Sequence, residues 1–191
     1  AEKATPQNIN FMMKEGRGLI CVPITQAYSK RLNLAPMVLD NTSIHETNFT
    51  VSVDAADNVT TGISAKDRWE TLQILNNKKS KPNQLAKPGH MFPLVAKSGG
   101  VLRRAGHTEA SIDLANLSGF NRCSLLVEIV DEDGSMARLK KLKEISKTYN
   151  LKLISIAELI EYRRKKDKLV EQILHSKLKT IIIIYHLFKT I

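Results

Sequence analysis

Gly99-Gly100-Val101-Leu102-Arg103-Arg104-Ala105-Gly106-His107-Thr108-Glu109 joins an apolar run, Met91 to Ala96, to a helical run, Glu109 to Leu117. A strand therefore passes into a helix through a connection rich in glycine and arginine. Helix N-termini carry unpaired N–H groups and a partial positive charge. Two guanidinium groups, a histidine and a hydroxyl gathered there make a seat for a phosphate. The stretch predicts an enzyme that handles a small phosphorylated compound on a scaffold of mixed strands and helices.

Working outward, Thr5-Pro6 reads as an N-cap with proline at the first helical position, and Gly16 as the helix stop. Gly18 to Val22 is a buried-type strand ending at Pro23, and Ala27 to Leu34 a short helix. Asn41 to Thr47 is a polar loop, and Phe49 to Asp54 alternates as a strand does. Ser64-Ala65-Lys66-Asp67 opens a helix to about Asn76. Lys78 to Lys87 reads as a loop, Leu125 to Val130 as an internal strand, and Leu151 to Ile154 as a short strand. Ser135 is expected to cap a helix bearing Met136, Leu139, Leu142 and Ile145 on one face, closed by Asn150. Ser155 to Glu158 is a second capping box, opening a helix that continues into a basic tail. Strands and helices mix without strict alternation, so the fold class is α+β with a mixed sheet packed by helices.

The chain has 191 residues, 42% hydrophobic and 25% charged, ordinary values for one globular domain. Two cysteines, Cys21 and Cys123, exclude a disulfide framework or a cysteine-rich zinc module. The longest apolar run, Ile181 to Tyr185, is too short to span a bilayer. The net charge of +10 raises nucleic acid as a partner. The lysines that carry it lie mainly between Lys140 and Lys179 without interleaved aromatics, so neither nucleic acid nor membrane is the expected partner.

Four positions carry candidate chemistry. His90 follows Pro88-Gly89, a pair that reads as a tight turn, and suits a general acid or base. The alternative is a surface histidine that caps the turn. Glu128 interrupts an apolar run, and a carboxylate there pairs with a cation or faces a site; Arg104 and His107 are the candidate partners. His107, near a helix start, stays neutral and is able to bind a metal, but magnesium prefers oxygen and one imidazole is not enough. Asp54 to Ser64 reads as a capped turn or a polar ligand loop. Cys21 reads as core rather than nucleophile.

These residues resemble one family, the 3,4-dihydroxy-2-butanone 4-phosphate synthases of riboflavin biosynthesis. The resemblance runs from Ala1 to Arg164. It is carried by Ala4-Thr5-Pro6, Gly16-Arg17-Gly18, Phe49 to Ala55, Thr61 to Ala65 with Asp67-Arg68, and Asp133 to Arg138. Its most specific parts are Pro88-Gly89-His90 with Phe92-Pro93-Leu94, and Gly99 to Glu109. It implies conversion of D-ribulose 5-phosphate into L-3,4-dihydroxy-2-butanone 4-phosphate and formate by a magnesium-dependent lyase, with manganese as the alternative ion. The resemblance further implies catalytic roles for His90 and Glu128, substrate binding by Arg104, Ala105, Gly106, His107, Thr108 and Glu128, and metal ligation by His107. It also implies a cytoplasmic homodimer, or a plastid one in a plant-like source.

Two departures accompany it. The family's N-terminal strand and acidic loop, the source of carboxylate metal ligands, precede the segment that matches Ala1. On this reading residues 1–164 form the synthase-like domain with an incomplete metal site and little activity alone. Residues 165–191 form a basic helical tail similar to the junction with GTP cyclohydrolase II. The alternative is a non-catalytic remnant that serves as a dimerisation scaffold.

Overall fold

The computed structural model describes residues 1–167, together with the backbone of 170–175 and 186–190. Helix α1 (Pro6–Phe11) begins where the Thr5 side chain accepts from the Asn8 N–H, with Pro6 in the first turn. The helical winding ends at Gly16, as expected, though not as α-helix throughout. The chain winds on through a π-turn, Met12–Gly16, and the left-handed residue is Arg17 at φ 62°. Strand β1 (Arg17–Ile24) follows, then α2 (Gln26–Arg31), β2 (Val53–Ala55) and α3 (Ala65–Asn76), capped by Ser64 as expected. The chain continues through β3 (Leu85–Val95), α4 (His107–Leu117), β4 (Leu126–Ile129), α5 (Leu139–Thr148) and α6 (Ile156–Lys166).

The sheet is mixed, in the order β2-β3-β1-β4. β1 and β3 are parallel, while β4 and β2 join antiparallel at the two edges. Alternation gives the sheet two unlike faces. Ile20, Val22 and Ile24 point into a core with Ile9, Leu72, Leu75 and Met91, so α1 and α3 cover that face. The intervening Leu19 and Cys21 point to the opposite side, towards an open cleft. A smaller cluster of Val101, Ala110 and Leu159 joins α4 to α6.

Several elements differ from expectation. β1 runs through Pro23, past the point where its ladder to β4 ends at Cys21↔Leu126. β4 is an edge strand among the described residues, so Glu128 is exposed rather than enclosed. Pro88-Gly89 forms no turn. β3 begins at Leu85, and residues 87–90 bulge out between the pairs Asp54↔Ala86 and Val53↔Met91. Ser135 caps no helix: it closes a turn on Asp133, and Arg138 precedes α5. Leu151 to Ile154 is extended without strand pairing. The tail is not a continuous helix. α6 ends at Lys166, and β5 (Val170–His175) pairs antiparallel with β6 (His186–Thr190). The apolar run from Ile181 lies outside the described residues, and among those described no helix is long and apolar enough to cross a membrane.

Candidate active site

The expected phosphate seat is built on a buried carboxylate. Glu109, in the first turn of α4, is 1% exposed. It accepts from the Lys97 N–H at 2.9 Å and from Arg104 Nη1 at 2.6 Å. Arg104 Nη2 donates to the His45 carbonyl at 2.7 Å. Two of the five guanidinium donors are thus committed, the fork is fixed, and the rest remain for a ligand. Gly106 is the N-cap of α4 and uses no side chain to close the helix start. A Cβ there would run into the Arg104 guanidinium, so only glycine lets Arg104 lie across the helix mouth. The opening N–H groups of α4 remain available to an anion.

This seat forms one wall of a cleft of about 580 Å³, where Arg104, Ala105, Gly106 and His107 face Glu128 across Leu19, Cys21 and Leu126. Glu128 is aimed by a β-bulge. Arg17 pairs with Ile129 and Ile20 with Val127, so Gly18 and Leu19 both stand opposite Glu128. A Cβ on Gly18 would strike the Glu128 carbonyl. The expected pairing of Glu128 with Arg104 or His107 is not formed: Arg104 pairs with Glu109, and no hydrogen bond or ion pair engages the Glu128 carboxylate among the described residues. The three instead share the cleft. Thr108 is 3% exposed and lies behind the wall rather than in it.

His90 stands outside the cleft lining. It precedes Phe92 and Leu94 by two and four residues on β3, so alternation points it from the face where Leu94 lines the cleft. The β1–β3 register begins two residues beyond His90, at Cys21↔Phe92. Asp54 holds His90 twice: its Oδ1 accepts the His90 backbone N–H at 2.8 Å and its Oδ2 lies 2.7 Å from Nδ1. A carboxylate that accepts from Nδ1–H leaves Nε2 with its lone pair outward. Arg68 fixes the same bulge by donating to the His90 carbonyl at 3.0 Å. Gly62, at φ +92°, packs where a Cβ would collide with Asp54 and His90.

Sequence reasoning did not give Asp54, Glu109 or His45 these roles. Asp54 was readable as the end of a strand and as part of a capped turn or polar ligand loop, but not as the partner of His90, which is 36 residues away. The Thr60 to Ser64 part of that loop is a cap: Thr60 and Gly62 donate to Asp67. Burial, with the charge of Glu128 beside it, pushes the Cys21 thiol up to about 12. Cys21 is buried and forms part of the cleft wall.

The sequence profile of the 3,4-dihydroxy-2-butanone 4-phosphate synthases matches residues 1–162. The chain belongs to this family. Among curated relatives, the riboflavin biosynthesis protein RibBA of Cytophaga hutchinsonii is 58% identical over 173 residues, 90% of this chain and 43% of the relative. RibBA of Bacillus mycoides is 52% identical over 180 residues, 94% of this chain and 45% of the relative. The chain thus spans less than half the length of these synthase-family relatives. Among solved structures, the two-domain synthase RibBX of A. baumannii superposes with TM-score 0.89 at 39% identity, covering 98% of this chain and 56% of that one. A 3,4-dihydroxy-2-butanone 4-phosphate synthase in complex with two magnesium ions superposes with TM-score 0.83 at 35% identity, covering 86% and 82%.

The donors in this chain fit magnesium poorly by themselves. His45, His107 and Glu128 bring two imidazoles and one carboxylate to the cleft, and no three acidic, histidine or cysteine side chains gather closely enough to hold a metal among the described residues. Magnesium asks for near-octahedral oxygen ligation.

Proposed function

We propose that this chain carries the sugar-phosphate half of a 3,4-dihydroxy-2-butanone 4-phosphate synthase site and acts on D-ribulose 5-phosphate, yielding L-3,4-dihydroxy-2-butanone 4-phosphate and formate. The observation that carries the reading is the convergence of Arg104 to His107 and Glu128 on one cleft in a member of this family. The phosphate sits against the α4 N–H groups and the fixed Arg104 fork, with Thr108 supporting that turn from behind. Glu128 and His90, on one sheet face, move protons at the sugar carbons. The step to an enediol needs a base at the carbon beside the ketone, and the later loss of water needs an acid at the departing hydroxyl. His90, held through Nδ1, presents Nε2 for such work. The atoms of the substrate equal those of the two products, so no oxidant or reductant enters.

Magnesium, with manganese as its substitute, belongs to this reading as the cofactor, and His107 is its ligand from this chain. A cytoplasmic homodimer is the expected assembly. The incomplete donor set favours a second reading, a non-catalytic scaffold for dimerisation.

The test is to supply the protein with ribulose 5-phosphate and magnesium and to quantify formate and the four-carbon phosphate. The enzymatic reading predicts a one-to-one yield that falls by on the order of 10²-fold or more in Glu128→Gln and in His90→Asn. Substrate binding with no formate from the unaltered protein supports the scaffold. Formate release undiminished by both substitutions overturns the assigned roles.

A further inference from the structure

Arg163 lies one residue beyond the family match, near the end of α6. Its side chain nevertheless reaches back 64 residues to donate to the Gly99 carbonyl at 2.8 Å. The same Nη1 donates to Asp113 Oδ2 at 2.8 Å, and Nε donates to Asp167 Oδ2 at 3.0 Å. Asp113, on α4, accepts the Val101 N–H at 2.8 Å with that same oxygen. The two side chains are 17% and 10% exposed, so their contacts are charge-assisted and weakly screened.

Gly100 is enclosed between them. It adopts φ +63°, and a Cβ there would meet the Asp113 carboxylate and the Arg163 guanidinium. Its carbonyl accepts the N–H of Arg103 at 2.9 Å and of Arg104 at 3.0 Å. Contacts therefore run from Arg163 and Asp113 to the backbone of Gly99 to Val101, and from Gly100 to Arg104, the side chain that crosses the mouth of α4.

We infer that Arg163 is a positioning residue for the phosphate seat: with Asp113 it clamps the Gly99 to Val101 turn that sets where Arg104 points. This rests on the reading that the seat takes the substrate phosphate. Arg163 is absent from the cleft lining. It acts through Arg104 and touches no substrate. The functional unit consequently extends to the end of α6.

The test uses the whole 191-residue protein at a temperature where every variant is folded by its melting curve. Wild type, Arg163→Ala and Asp113→Asn are titrated with ribulose 5-phosphate, with ribulose and with inorganic phosphate. Arg163→Ala is expected to weaken ribulose 5-phosphate and phosphate about tenfold, the worth of one charge-assisted hydrogen bond, and to leave ribulose within about twofold. Guanidinium ion at millimolar concentration is expected to restore phosphate affinity to Arg163→Ala and not to Asp113→Asn. Asp113→Asn carries the comparison if the alanine variant does not fold. An equal loss for all three ligands, or wild-type preference in both variants, overturns the clamp. A wild type that binds ribulose and ribulose 5-phosphate alike strikes the seat reading itself, and the clamp with it.

Discussion

Asp67 shows how one side chain sets a loop beside the candidate acid–base pair. The Thr60 hydroxyl donates to it at 2.7 Å, and the N–H groups of Thr60 and Gly62 each donate at 3.1 Å. These bonds, the Thr60 hydroxyl foremost, hold its carboxyl down at about 2, against 3.8 for an unperturbed group. A depressed folded value means stability that is present above pH 3.8 and lost as pH falls through 2. Asp67→Asn is expected to melt below the wild type at pH 7, with the gap narrowing as pH drops from 4 towards 2. Thermal melts across that range check it, and a gap independent of pH contradicts it. Of the residues that build the site, those named by local pattern were legible: Ser64 as a cap, Arg104 and His107 at a helix start, Glu128 as a misfit in an apolar run. Asp54, Glu109 and His45 were not. A carboxylate that orients a histidine 36 residues away leaves no local period to read.

At the scale of elements, helices were legible where a cap announced them. Ser64 and Ser155 both open helices, as their boxes predict. Ser135 shows the limit of that signal: the same residue type serves as well in a turn, and its hydroxyl bonds to Asp133. Strand ends and register were less legible, because bulges are set by cross-strand contact and not by the strand's own sequence. The β3 bulge turned an expected Pro-Gly turn into mid-strand backbone. The β1 bulge aims Glu128, and Gly18 makes it possible. Gly18→Ala must push the β4 backbone away, an overpacking cost of about 1–3 kcal/mol. Urea unfolding is expected to show a lower midpoint at unchanged slope, together with reduced turnover when the protein is still folded. An unchanged midpoint contradicts this account of the bulge.

For the molecule as a whole, the α+β class and the mixed sheet followed from the succession of elements. Which edge carried Glu128 did not, since β4 reads as apolar and internal while the topology leaves it outermost among the described residues. The same topology sets the two parts of the proposed site within reach of one another: the mouth of α4 with Arg104 to His107, and Glu128 across the cleft on β4. The core of Ile9, Val22 and Leu72 lies on the other face, so the cleft side is free to be polar and open. The tail differed most, because a lysine-rich sequence with isolated apolar residues carries no decisive period. The central claim is that the cleft is a sugar-phosphate site organised by Arg104. It is tested most directly by calorimetric titration with ribulose 5-phosphate and ribulose, for wild type and for Arg104→Gln shown to be folded by its melting curve. The account predicts that wild type prefers the phosphorylated sugar by about tenfold or more, and that Arg104→Gln removes most of this preference. Equal affinity for the two sugars, or a preference untouched by the substitution, would contradict it.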